Sequence, residues 1–503
     1  MNETTVPTGY RALIGLLAGT IAGIVWGLLV PFTLGPGANL ALGAVLGVLF
    51  GLFFGPHVRT AGTGLIWGQA YGLLWWLFGS LTLLPLLSGR GLYWTAATAQ
   101  ETLPLLLGQV IAYGAVLGLS TYGLTWGLGK VGLVKMSASP RRSVGRLMEQ
   151  AIVPKPIQAV IVGGLGGLVG SWIFARGVET AEFFPLVAGL MGSNAMALGR
   201  LLHYTIGITI GISFGLLFSR DIRGVGSSLV WGLNYGLVWW VIGPMTLLPI
   251  LLGLETQPDW SLGAAQENVP SLVAHMLYGS IVGLFYALAN RVWRVLFVDS
   301  DPVNRALESP GSLGLRVALM GLGSGVVGGL LFTIVMAGTG ALSQIASLVG
   351  AQSPLAGLIV HLIVAIIVGM SYGLLFGQEI LSYGTGLAWG TVYGLLWWLL
   401  GAATLYPILL RQPVDWSLEA VAGLYPSLVG HLLYGVGLGL FFQFLARRYG
   451  KEPSGRPRRD TWDGPPSQQR GDDSRRREMG QSAPALWIVT LVLGIMLPLL
   501  LSM

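Results

Sequence analysis

Apolar stretches of about 20 residues, the length a helix needs to cross a bilayer core, recur between short polar breaks along nearly the whole chain. They lie near 10–32, 38–56, 61–87 and 102–125, then near 156–175, 197–218, 226–252 and 268–290. A third set follows near 315–337, 355–377, 383–410 and 424–446, and a thirteenth span, Ala485 to Met503, comes after a polar stretch.

The grouping in fours comes from one motif written three times. Trp67-Gly68-x-x-Tyr71-Gly72-x-x-Trp75-Trp76 is followed nine residues later by Pro85. It returns as Trp231, Gly232, Tyr235, Gly236, Trp239, Trp240 with Pro249, and as Trp389, Gly390, Tyr393, Gly394, Trp397, Trp398 with Pro407. A repeated unit of this size is built and packed the same way each time. The pattern therefore predicts an all-α polytopic membrane protein with three tandem four-helix repeats and one C-terminal transmembrane helix. Expected repeats are 9–128, 155–292 and 313–448, with cytoplasmic linkers at 129–154 and 293–312. Residues 449–484 are expected to be a disordered charged linker, rich in Arg, Asp, Pro, Ser and Gln, and 485–503 the last helix. Four crossings return the chain to its starting side, so the repeats run parallel. This suits pseudo-threefold packing about an axis along the membrane normal, a linear array being the alternative.

Composition agrees with that class. The chain is 53% hydrophobic and only 10% charged, with a mean hydropathy of +0.71, whereas a soluble domain carries about 25% charged residues. Its 77 glycines suit membrane helices, where small residues let backbones approach. It has no cysteine, which excludes disulfides, thiolate metal sites and covalent c-type haem and leaves histidine as the good nitrogen ligand.

Charge adds an orientation, because Lys and Arg accumulate on the cytoplasmic side of short loops. With the amino terminus inside, only Arg90, Arg176, Arg200 and Arg411 of the 28 basic residues face outward. The N-terminus and inter-repeat linkers are then cytoplasmic and the C-terminus outside, in a plasma (inner) membrane. The net charge of +7 follows from topology and calls for no nucleic-acid partner. The lipid bilayer is the implied partner; partner subunits are not identifiable. The first apolar span is too long for a signal h-region and reads as a retained helix. Arg475, Arg476 and Arg477 read as a topogenic cluster, or as a contact for anionic lipid.

Small residues form ridges at spacing four, which places them on one helix face. The second helices carry Gly43, Gly47, Gly51 and Gly55; Gly207, Gly211 and Gly215; Ala365, Gly369, Gly373 and Gly377. The fourth carry Tyr113-Gly114-x-x-x-Gly118, Tyr278-Gly279-x-x-x-Gly283 and Tyr434-Gly435-x-x-x-Gly439. Together with the Trp-Gly-x-x-Tyr-Gly helices, these ridges are read first as close helix packing.

Candidate chemistry rests on histidines. Counting back from the tryptophan pair gives His203 and His361 in repeats two and three and Asn39 in repeat one. Counting forward from the fourth-helix proline gives His275 and His431, with Gln109 as their repeat-one counterpart. Three readings of these polar pairs stay open. They are interhelical hydrogen bonds tying the second helix to the fourth, with Asn39 and Gln109 making the equivalent contact. Or the histidines line an outer vestibule with Glu101, Glu267 and Glu419 for protons or a small solute. Or they ligate b-type haem, although Asn39 and Gln109 could not. Against a strongly driven transporter stands the lack of Asp, Glu, Lys or Arg near mid-membrane. His57, Asp221 and Glu379 align at the inner end of the second helix, where a titratable group snorkels to water at little cost. Trp94, Trp260 and Trp416 align in the outer loop as expected aromatic-belt anchors. No catalytic or metal signature appears, so an enzyme is disfavoured and no cofactor is expected unless the haem reading holds.

A single repeat resembles the YagU-like family of small bacterial inner-membrane proteins. The resemblance rests on a histidine in the second helix (His203, His361), on a tryptophan-led third helix ending near a proline (Trp231 to Pro249), and on an acidic residue ahead of a histidine in the fourth (Glu267 to His275). It covers the greater part of each repeat, and triplication, the absence of both histidines from repeat one and the added C-terminal segments are departures. The resemblance implies an acid-resistance or stress role without a defined reaction. Permeation of protons or a small solute, or proton homeostasis, is the leading expectation. A bis-histidine haem subunit of an electron-transfer complex and a structural membrane subunit are the alternatives.

Overall fold

The computed structural model describes residues 7–89, 101–131, 155–297 and 310–449, apart from breaks at 30–35, 103–104, 107, 179–181, 220, 223, 257, 378, 381, 416–419 and 421–422. The expected C-terminal helix and nearly all of the charged stretch before it lie outside these residues. The described residues are helical and contain no strand. Ten of their helices are long and apolar enough to cross a membrane, and a further apolar helix, Gly37–Phe53, is shorter. The chain is an integral, multi-pass membrane protein.

The helices are α1 (Thr8–Leu29), α2 (Pro36–Phe53), α3 (Ala61–Trp75), α4 (Val116–Lys130), α5 (Lys155–Val178), α6 (Phe183–Ala188), α7 (Met196–Phe218) and α8 (Val225–Ile242). They continue as α9 (Leu262–Glu267), α10 (Val269–Phe297), α11 (Pro310–Thr339), α12 (Ala341–Ala346), α13 (Pro354–Phe376), α14 (Tyr383–Trp397) and α15 (Tyr425–Tyr449). The short α6 and α12, between long spans, interrupt what the hydropathy pattern shows only as loop. They fall into two compact units. One gathers the described residues of Met1–Arg223 and Ser228–Asn290, the other those of Gly224–Ser227 and Arg291–Ser467.

Local chemistry sets the helix ends. Thr60 and Ser382 cap α3 and α14 through reciprocal bonds with Thr63 and Thr385, so side chains satisfy first-turn amides that have no helical acceptor. At the other end, α3, α8 and α14 each widen into a π-helical segment: Trp76–Leu83, Gly243–Leu247 and Trp398–Leu405. Pro85, Pro249 and Pro407 follow directly. A proline offers no N–H and crowds the carbonyl four residues back, so the upstream turn must open. Threonine hydroxyls fill part of the gap: Thr246 donates to the Val241 carbonyl at 2.6 Å and Thr404 to that of Leu399 at 2.8 Å.

Close backbone approach builds each unit. Gly15 and Gly19 of α1 lie against Gly43 and Gly47 of α2, where an added Cβ would overlap the facing carbonyls. Gly163 and Gly167 of α5 meet Gly207 and Gly211 of α7 in the same way, and Gly321 and Gly325 of α11 meet Ala365 and Gly369 of α13. Tyrosines then pin the second helix of each set. Tyr113 donates to the Gly43 carbonyl at 2.8 Å, Tyr278 to Gly207 at 2.5 Å and Tyr434 to Ala365 at 2.8 Å. The motif tyrosines reach the same helices: Tyr71 bonds the Leu46 carbonyl (2.9 Å), Tyr235 the Ser213 hydroxyl (2.6 Å) and Tyr393 the Ser371 hydroxyl (2.5 Å). Away from water each such bond meets a polar group with few other partners.

Candidate functional site

Three polar layers stand out, beginning with the histidines. His203 does not bond His275. Its Nε2–H donates to the Ser171 carbonyl on α5 at 3.0 Å, while His275 Nδ1–H donates back along its own helix to the Ser271 carbonyl at 2.7 Å. His361 and His431 repeat this with the carbonyls of Gly329 (3.0 Å) and Ser427 (2.8 Å). A carbonyl oxygen only accepts, so these bonds place the proton on Nε2 of His203 and His361 and on Nδ1 of His275 and His431.

A phenylalanine explains why the rings stay apart. Phe174 packs against both His203 and His275, with centroid distances of 5.4 and 4.9 Å. Phe332 sits likewise between His361 (5.1 Å) and His431 (4.6 Å). The expected bond between second and fourth helices is therefore replaced by a bond from second to first helix and an aromatic wedge. The wedge also fills the space a haem would need between two axial imidazoles, so these residues do not fit a bis-histidine haem. At the expected counterparts, Gln109 is buried and its amide donates to Ser80 at 3.1 Å, tying it to the π-segment after α3 rather than to Asn39, which is buried against α1.

Phe332→Ala should destabilise the protein by about 2–3 kcal/mol. Soluble cores lose about 3–5 for Phe→Ala, but in lipid the transfer part of that loss is largely absent and the cavity part remains. A thermal melt of the detergent-solubilised variant checks this, and an unchanged midpoint would contradict the wedge.

Of the acids expected at the outer vestibule, two are described. Glu101 and Glu267 are exposed, and Glu419 lies outside the described residues. Among the described residues, no three of His, Asp and Glu converge as a metal site would require. Trp260, expected as a belt anchor, is 4% exposed and donates its indole N–H to Thr246 at 3.0 Å. It serves the π-segment hydroxyl instead of the headgroup layer. Trp94 and Trp416 lie outside the described residues.

A second layer lies where acids were expected to snorkel. Glu379 is 3% exposed and accepts from the Ser227 hydroxyl at 2.7 Å. Asp221 accepts from Thr60, the cap of α3, at 2.9 and 3.0 Å. Both carboxylates meet the start of a third helix, where unsatisfied amides and the helix dipole favour negative charge. Burial of Glu379 is thus compensated by protein partners in place of water.

The third layer was missed by pattern reading. Gln69 of α3 and Asn234 of α8 are both 0% exposed and pair side chain to side chain, Asn234 Nδ2 to Gln69 Oε1, at 3.4 Å. Gln69 Nε2 and Asn234 Oδ1 have no partner. Gln69 is eight residues and Asn234 nine from the first residue of its helix, about 12–14 Å along the axis at 1.5 Å per residue. That depth is close to the middle of a bilayer core about 30 Å thick. The first tryptophans of the motif, Trp67, Trp231 and Trp389, also bury an indole N–H without a partner. The second of each tryptophan pair is bonded: Trp76 to Thr102, Trp240 to the Asn268 carbonyl and Trp398 to that of Leu424. A carboxamide in each of two otherwise Gly-, Leu- and aromatic-rich helices was the available signal.

No protein-family model matches this chain, and no curated protein or solved structure matches it either. Function is therefore read from geometry.

Proposed function

We propose that this protein is a permeation protein for a small solute, built from three tandem four-helix repeats, with its pathway beside the third helices. The observation that carries this reading is the Gln69–Asn234 pair: a fully buried carboxamide couple near mid-membrane with one amide donor and one carbonyl acceptor left open. Buried polar groups without partners cost about 1–3 kcal/mol each, and in lipid such positions are functional candidates by default. An open donor beside an open acceptor matches a molecule that both accepts and donates, such as water, ammonia or a small amide. No Asp, Glu, Lys or Arg stands near mid-membrane to hold an ion, which favours a neutral passenger over a driven ion.

The repeat reading is supported by the recurrence of the same tyrosine-to-carbonyl bonds, glycine crossings and π-segments at three places. A YagU-like role in acid or stress tolerance is compatible with passage of a neutral base or acid, which would shift pH without moving charge.

Reconstituted full-length protein tests the proposal. Proteoliposomes should equilibrate at least one of water, ammonia, urea and glycerol several-fold faster than protein-free liposomes in stopped-flow light scattering or with an internal pH dye. Equal rates across the panel would overturn it.

A further inference from the structure

Two residues of the first unit hold the places that a histidine and its phenylalanine wedge hold elsewhere. The Gln109 carbonyl meets Gly72 as the carbonyls of His275 and His431 meet Gly236 and Gly394. Trp26 lies eleven residues beyond Gly15, as Phe174 lies eleven beyond Gly163 and Phe332 eleven beyond Gly321. Those three glycines make the same crossing, against the carbonyls of Gly47, Gly211 and Gly369. The exchange of residue types leaves polar atoms open. Trp26 is 5% exposed and Gln109 2%, and neither the Trp26 indole N–H nor Gln109 Oε1 has a hydrogen-bond partner. We infer that Trp26 Nε1–H and Gln109 Oε1 form a second binding station for a small neutral hydrogen-bonding solute, on the same pathway as the Gln69–Asn234 pair. The inference rests on the permeation reading above.

Three observations lead there. The first is complementarity. One open N–H and one open carbonyl oxygen are the combination that Gln69 Nε2 and Asn234 Oδ1 also present. A solute that accepts from the indole and donates to the carboxamide satisfies both groups, and neither group carries charge to hold an ion. The second is proximity. The Trp26 ring packs against the Tyr113 ring at 5.8 Å, and Tyr113 is fixed by its bond to the Gly43 carbonyl. Gln109 lies four residues before Tyr113, on the same side of its helix. Ser80 holds the amide nitrogen of Gln109 at 3.1 Å, so Oε1 is the end left for a solute. At the equivalent places the phenylalanine and histidine rings lie 4.9 and 4.6 Å apart.

The third observation is the backbone. Nine residues lead from Pro104 to Tyr113, against eight from Pro270 to Tyr278 and from Pro426 to Tyr434. The extra residue is taken up by a π-helical turn, Gly108–Ala115, where α10 and α15 stay α-helical. Such turns occur frequently at functional sites. Packing alone does not call for a tryptophan and a π-turn, since phenylalanine against an α-helix fills the equivalent places twice. The station stands apart from the first pair: Ser80 is eleven residues beyond Gln69 along α3 and its π-segment, about 16 Å at 1.5 Å per residue. It therefore lies toward the end of the helices where α1 finishes, and a passing solute exchanges hydrogen bonds there and again at mid-membrane.

Full-length protein in proteoliposomes tests the station with the same panel of water, ammonia, urea and glycerol. Trp26→Phe supplies the ring that Phe174 and Phe332 supply elsewhere, so the variant should fold and melt no lower than the parent, because a buried donor without a partner is removed. Facilitated flux of the solute that the parent carries fastest should nevertheless fall about fivefold, equivalent to about 1 kcal/mol. Gln109→Leu, which removes the acceptor and keeps the bulk, should lower flux by a similar factor. Parental flux in either folded variant would overturn the station and leave the Gln69–Asn234 reading standing. Parent rates equal to those of protein-free liposomes would remove that reading and the station with it.

Discussion

Gly232→Leu should leave no stably folded protein, whereas Gly127→Ala should be neutral or slightly stabilising. Gly232 faces Gly279 so closely that a Cβ on either would overlap the other's carbonyl, and Gly236 stands in the same relation to the His275 carbonyl. Adding methylenes to a packed core costs about 1–3 kcal/mol when side chains can move aside. Here the obstacle is backbone, so the helices must part, and parting them breaks the neighbouring contact at Gly236 as well. Packing is the main force holding membrane helices together, so nothing else offsets the loss. A Cβ added at Gly127 would have nothing within 4 Å, and alanine favours a helix over glycine by about 1 kcal/mol. Size-exclusion profiles and thermal melts of both variants decide the matter. A Gly232→Leu protein eluting and melting like the parent would mean that these helices do not touch there.

The contrast between those two glycines shows where the chain was readable and where it was not. An all-helical, multi-pass membrane protein is legible in composition and span length, because bilayer thickness imposes both. Spacing also locates the small-residue faces. What spacing cannot reveal is the partner across the gap. His203 and His275 were expected to meet, yet Phe174 of α5 packs between them, and spacing arguments built on the histidines alone did not single that phenylalanine out. Glu379 lies at the end of a span, where exposure is the default, but the start of α8 supplies Ser227 to replace water.

The carboxamide pair was hidden by the recurring motif itself. Gln69 follows its motif tryptophan by two residues and Asn234 by three, so aligning the copies of the motif sets Gln69 against Leu233 and Ala70 against Asn234. Two neighbouring helices face each other with different sides, and residues that meet need not align. The π-segments were hidden for another reason: their prolines are visible in sequence, but how far upstream the helix opens depends on which hydroxyls are there to take the freed carbonyls.

Replacing that pair should separate stability from flux. Gln69→Leu alone leaves Asn234 buried without its partner, and an unsatisfied buried carboxamide costs about 1–3 kcal/mol. Asn234→Leu should cost a similar amount for the same reason. The double variant removes both polar groups together, and replacing both partners by apolar groups of like shape is close to neutral or stabilising. Thermal stability should therefore fall in each single variant and recover in the double one, a coupling that identifies the pair as a unit. Flux should not recover. A passenger that hydrogen-bonds at this point loses its site in the double variant, and since about 1.4 kcal/mol is a factor of ten, facilitated flux in proteoliposomes should drop roughly tenfold or more. A folded double variant with parental flux would mean that Gln69 and Asn234 serve packing alone. Stability recovered with flux lost is the result that a purely structural pair cannot produce, because only a passing molecule needs the polar atoms that the fold is better off without.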